Sequence, residues 1–288
     1  MKTNRLYAGV ETALGNEQDA AVYLQSIPYD GTSTWGKGAD KAFERFLDAS
    51  DNMEIYDIET DSEVYEKGVY ILDEIVEKSS PEAVYKTVLN KTNSLLKTNK
   101  FLTFIGGEHS VSIGIIEAFQ QRYEQLSVLH LDAHSDLRPA YNDTEYNHAC
   151  ALHKASKNGN LVQVGIRSMD SVELPFMNKE QVFFAEDMYG KTDWMDKSID
   201  MLSDEVYITI DLDVLDPAIM PSTGTPEPGG LDWNTTIQYL KKVFERKNVV
   251  GFDIVEFAPI DGLKAPDFLF AKLYYKLLSY KFYNNGKR

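Results

Sequence analysis

An α/β fold built on a mainly parallel central sheet, with helices over both faces, is predicted by three observations. Short β-rich runs alternate with longer helical patterns along the 288 residues. The runs are apolar without interruption, as strands buried on both faces are. Polar clusters stand where the runs end, the edge at which such sheets bind ligands.

In chain order the pattern gives strands near 21–27, 101–105, 127–131, 161–166, 206–210 and 249–254. It gives helices near 39–48, 63–77, 81–97, 111–124, 192–202, 234–246 and 266–280. Phe101-Leu-Thr-Phe-Ile105 runs into Gly106-Gly107, which let the backbone turn tightly, and then into the helical pattern from Val111 to Tyr123. The same alternation admits a (β/α)₈ barrel as the rival architecture. Residues 1–288 read as one domain, without internal repeat or linker, and only the polar tail from Tyr283 to Arg288 is expected to be loose.

Composition narrows the function. A formal charge of −16 and a pI near 4.7 argue against nucleic acid or anionic membrane as partners and favour a small cationic substrate. The start, Met1-Lys-Thr-Asn-Arg-Leu-Tyr7, lacks the apolar segment of a signal peptide, so a cytoplasmic location is expected. Lone Cys150 fits a reducing compartment and excludes a thiolate cluster.

Three strand ends carry the chemistry. Asp132-Ala-His134-Ser-Asp136 follows Ser127-Val-Leu-His-Leu131, and Asp211-Leu-Asp213 follows Val206-Tyr-Ile-Thr-Ile210. Alternation along extended chain lets Asp132, His134 and Asp136 share one face and Asp211 and Asp213 another. His109, in Gly106-Gly-Glu-His-Ser110, is a sixth candidate ligand. So many carboxylates at the rim of a core repel one another unless cations neutralise them. Six nitrogen and oxygen donors are too many for one tetrahedral zinc; they suit two cations, and oxygen-rich ligation with some imidazole favours manganese.

Those segments, with Ile210-Asp-Leu-Asp-Val-Leu-Asp-Pro217 continuing to Gly224-Thr-Pro-Glu-Pro-Gly-Gly230, make nearly the whole chain resemble the ureohydrolase superfamily of arginases and agmatinases, most closely bacterial agmatinases. The resemblance implies a three-layer α/β/α sandwich, two Mn2+ per chain and a homo-oligomer, trimer or hexamer. It places His109, Asp132, His134, Asp136, Asp211 and Asp213 on metal-ligand positions, the six reached from chemistry. It also maps Glu256, in Val249-Val-Gly-Phe-Asp253-Ile-Val-Glu256, onto the residue that pairs with the substrate guanidinium, and His148 onto a proton relay at the mouth. Asp136 would pass a proton to the leaving amine. The implied reaction is metal-assisted hydrolysis of a guanidino group to urea and an amine.

Other residues read more plainly. Asp253 is structural or supports the site; His130, deeper in its strand, is core or supporting. His153 is expected on a helix facing solvent, and Cys150 in a small apolar niche. Prolines 217, 221, 226 and 228 and their neighbouring glycines fix a long loop over the site. Near the start Trp35-Gly-Lys-Gly38 departs from the family pattern, which puts entrance-loop contacts in doubt. In the loop 137–147, Asp143 and Glu145 suit a cationic amine tail, and agmatine, giving putrescine and urea, is the expected substrate. Arg138 could instead meet a carboxylate, keeping guanidinobutyrate and arginine as alternatives. A single-zinc deacetylase of the same fold and a non-catalytic metal-binding protein are the remaining rivals.

Overall fold

Eight strands pair into one sheet in the spatial order Val69–Ile71, Val22–Ile27, Phe101–Gly106, Asn248–Val255, Glu205–Asp211, Ser127–Leu131, Asn160–Ile166 and Val182–Phe184, every neighbouring pair parallel. The computed structural model describes residues 5–283. In chain order its elements are β1 (Val22–Ile27), α1 (Ala42–Ser50), β2 (Val69–Ile71), α2 (Pro81–Leu95), β3 (Phe101–Gly106), α3 (Val111–Arg122), β4 (Ser127–Leu131) and α4 (His153–Asn158). There follow β5 (Asn160–Ile166), β6 (Val182–Phe184), α5 (Ala185–Met188), α6 (Asp193–Asp200), β7 (Glu205–Asp211), α7 (Trp233–Arg246), β8 (Asn248–Val255) and α8 (Lys264–Tyr283).

Side-chain alternation divides the core in two. Leu24, Leu129 and Ile208 pack with α1, α6, α7 and α8, whereas Tyr23, Val128 and Tyr207 pack with α2, α3 and α4. This is a three-layer α/β/α sandwich. The sheet is open, with short edge strands β2 and β6, so the barrel alternative falls. Among the described residues no helix is long and apolar enough to cross a membrane.

The expected helix over 63–77 is a correction. Its first residues form only a short 3-10 turn, Val64–Lys67, which Gly68 ends at φ +75° before β2 pairs with β1. A Cβ at Gly68 would lie 2.0 Å from the Leu14 carbonyl oxygen, so the chain passes too close for a helix to continue with a larger residue there. The short strand β6 carried too little pattern to be seen. The last helix is described as far as Tyr283, and the rest of the expected loose tail lies outside the described residues.

Candidate active site and metal centre

Register across the central strands brings the acidic clusters together. Ile105 of β3, Ile254 of β8, Ile210 of β7 and Leu131 of β4 form one row, all facing the α8 side. The chain therefore leaves the sheet at one level on four adjacent strands, delivering His109, Glu256, Asp211 and Asp132 to one place. The connection from β3 to β4 spans the positions later filled by β8 and β7, so the site lies where strand order reverses.

The structure brings all six expected ligands into one cage with two lobes, buried except for the partly exposed His134. His109 Nδ1 is 3.1 Å from Asp132 Oδ2, 3.2 Å from Asp136 Oδ2 and 3.4 Å from Asp211 Oδ2. His134 Nδ1 is 2.9 Å from Asp213 Oδ2 and 3.5 Å from Asp132 Oδ1. Asp132 thus offers one oxygen to each lobe. Asp136 holds its place with φ +52°, and Glu256 with φ +63°, a backbone region that costs energy outside glycine and collects at functional sites.

A row of polar side chains one step deeper backs the cage. Asp253, Thr209, His130 and Gln163 are cross-strand neighbours on the α3 side. Thr209 donates its hydroxyl proton to Asp253 Oδ1 at 2.6 Å, so it accepts from His109 Nε2 at 2.9 Å. Gln163 Nε2 must donate to the Ser135 carbonyl at 2.8 Å, so its second proton goes to His130 Nδ1 at 2.9 Å, and His130 Nε2 donates to Asp132 Oδ2 at 2.7 Å. Both ring nitrogens of His130 are thereby engaged. It orients the Asp132 carboxylate, in the manner of partners that stand behind metal ligands.

This wiring decides whether a cation fits. His109 uses Nε2 on Thr209, so in the neutral ring Nδ1 is a bare lone pair. It is sealed from solvent and makes no hydrogen bond, although three carboxylates crowd it. A lone pair facing carboxylates is stable only with a proton or a metal ion between them. Burial lowers the affinity of His109 for a proton, but Asp132, Asp136 and Asp211 overcome that and raise its pKa well above the usual range. Burial, then Asp213 and Asp132, push Asp211 up, and burial with Asp132 raises Asp213. The donor set fits divalent cations.

Glu256 and His148 line the adjoining cavity of ≈ 260 Å³. Glu256 Oε1 accepts the His109 amide at 2.7 Å; burial and then Glu108 raise its pKa well above normal. His148 follows Asn147, whose side chain accepts from the Ala149 amide at 3.1 Å.

Several expectations need correction. His153 does lie on α4 but is buried: Nδ1 donates to the Leu137 carbonyl at 2.8 Å and the ring meets Phe176 edge-on. Asp143 and Glu145 are exposed and do not line the cavity. Besides the cage aspartates and Glu256, the acids on its wall are Asp170 and Glu173, which sequence alone did not flag because they follow β5 in a segment with no acidic run. Arg138 is engaged by them, with 3.2 Å from Nε to Glu173 Oε1 and 3.3 Å from Nη2 to Asp170 Oδ2, and it stacks on Tyr141. Cys150 is buried, and burial pushes its thiol up to about 12. Arg167 was also missed; it donates to carbonyls of Asp213 and Glu227, clamping the proline-rich loop to the end of β7.

A family model described as "Arginase family" matches residues 20–279. The N(1)-aminopropylagmatine ureohydrolase of Synechocystis is 33% identical over 279 residues, covering 93% of this chain and 91% of that protein. An agmatinase of Bacillus subtilis is 30% identical over 84% of this chain and 85% of its own length. The crystal structure of the agmatine ureohydrolase of Thermoplasma volcanium superposes with a TM-score of 0.84 at 30% identity, covering 93% and 92% of the two chains.

Proposed function

The chain belongs to the arginase family and is a ureohydrolase, and from that premise we propose that it acts on a guanidine with a cationic amine tail, agmatine first, giving urea and putrescine with two manganese ions in the cage. One observation carries the substrate class. Glu173 lines the cavity, is buried, and has a carboxylate oxygen, Oε2, with no hydrogen-bond partner. Burial, then Asp136, raise its pKa to about 6. An ammonium group reaching this wall would neutralise Glu173 and Asp170 together, whereas a substrate carboxylate would meet two acids and an arginine already engaged by them.

The remaining residues divide the chemistry. A guanidinium keeps its charge, so Glu256, anchored through one oxygen, holds its planar fork and fixes the carbon in line for attack. A pair of divalent cations between His109, Asp132, Asp136, Asp211, His134 and Asp213 would acidify water so that hydroxide is available at neutral pH. Asp136 passes a proton to the leaving amine as the C–N bond breaks. His148 exchanges protons between the cavity and solvent.

N(1)-aminopropylagmatine is the second reading, favoured by the names of relatives 32–33% identical to this chain. Urea release with manganese, measured side by side on agmatine, N(1)-aminopropylagmatine, arginine and 4-guanidinobutyrate, tests both. The amine-tailed compounds should exceed the carboxylated ones by at least about 100-fold in kcat/KM. Preference for arginine or 4-guanidinobutyrate would overturn the substrate class.

A further inference from the structure

Glu108 precedes His109 in the chain but is not one of the six cage residues, and it is completely buried. Five donors converge on it. Its Oε2 accepts the Thr32 and Ser33 amides at 2.5 and 2.8 Å and the Ser33 hydroxyl at 3.2 Å; its Oε1 accepts the hydroxyls of Thr32 at 2.5 Å and Ser110 at 2.6 Å. The entrance loop that leaves β1 is thus tied to the end of β3.

Thr32 extends this anchor to His148. Its Oγ1 lies 3.0 Å from the His148 amide and 3.1 Å from His148 Nδ1. A hydroxyl has one proton and two lone pairs, and the proton is committed to the Glu108 carboxylate. Both nitrogen contacts must therefore be donations into Oγ1. His148 then carries its proton on Nδ1 and leaves Nε2 as the bare, basic nitrogen, in a side chain that lines the cavity. A ring in the other tautomer would set its Nδ1 lone pair against an oxygen with no proton left to give.

We propose that Thr32, held by Glu108, is the positioning residue that fixes the tautomer and placement of His148, so that Nε2 is the nitrogen that takes up and releases protons in the cavity. The inference rests on the proton-relay role given to His148 above, but the tautomer itself does not. Among the described residues the hydrogen bonds of Thr32 run to Glu108 and His148 and not to the cage or Glu256, which separates it from the groups proposed to hold substrate.

The test uses the whole protein in magnesium, a diamagnetic cation, with 15N-labelled histidine; a His148→Gln variant assigns the His148 signals. In the wild type the neutral ring should show protonated Nδ1 and unprotonated Nε2. Thr32→Val, nearly the same size without the hydroxyl, should mix or invert the two forms, and Thr32→Ser should restore the original pattern. With manganese and the best guanidine substrate, Thr32→Val should lower kcat by about 10-fold or more with KM within about two-fold, and added imidazole should recover part of the loss. A wild-type His148 protonated on Nε2, or a pattern unmoved by Thr32→Val, would overturn the proposal. Urea release from none of the guanidines would refute the functional reading while leaving the tautomer result decisive on its own.

Discussion

Two acidic clusters in this molecule are built from the same residue types and meet opposite fates. On the α8 side, Asp57 and Glu59 are answered by the chain's own cations. Lys276 Nζ lies 3.0 Å from Asp57 Oδ2 and also bonds Glu59, Lys241 reaches Glu59 at 2.9 Å, and the Tyr280 hydroxyl donates to it at 2.7 Å. Burial would raise Glu59, but the hydrogen bonds from Lys276, Tyr280 and Lys241 hold it down at about 2. In the cage at the strand ends, no lysine or arginine among the described residues is paired with Asp132, Asp211 or Asp213, and burial with mutual repulsion pushes Asp211 and Asp213 up. An acidic cluster becomes a cation site where the fold withholds its own positive charge.

The contrast is broken most severely at the cage. Asp213→Asn removes a charge and a strong acceptor from one lobe, and activity with manganese should fall at least about 100-fold, together with bound metal in elemental analysis. Full activity and metal content in that variant would remove the distinction between the clusters. Glu256 sharpens it, because in the proposed reading the cation that answers it is the substrate: Glu256→Gln should cost about 2–3 kcal/mol in kcat/KM with metal content unchanged, as steady-state kinetics and metal analysis would show.

At the self-neutralised cluster the consequences should be structural. Lys276→Met leaves the buried Asp57 carboxylate without its lysine, and denaturant unfolding should show about 2 kcal/mol lost, tempered by the partial exposure of Glu59, with urea release by the folded protein unchanged. The smallest effect is in acid. Since Glu59 is depressed in the fold, its contribution is present above its ordinary value of 4.5 and disappears as pH falls through about 2. The stability gap between wild type and Lys276→Met should therefore narrow over that window; a constant gap would mean the lysine acts through packing alone.

How much of this the sequence disclosed follows from where the signals lie. The central strands are long apolar runs whose ends carry aspartates and histidines at fixed parity, so the parallel sheet and the gathering of the six cage residues were legible, whereas Glu256 and His148 came from the family resemblance and the structure places both on the cavity wall. Residues 63–77 were misread because a helical run of apolar spacing says nothing of Gly68, whose conformation depends on a distant carbonyl of Leu14. Glu173 and Asp170 were missed for a related reason: their importance comes from the cavity wall formed after β5 turns back over the site, and local pattern carries no trace of it. The anchoring of His148 by Thr32 and Glu108 joins three segments far apart in the chain.

Metal stoichiometry tests the account most directly, because Asp132 contributes one oxygen to each lobe. Chelator-stripped protein returned to manganese should hold two ions per chain, and Asp132→Asn should lose both. A wild type that releases urea at full rate with one zinc, or with no metal at all, would contradict it.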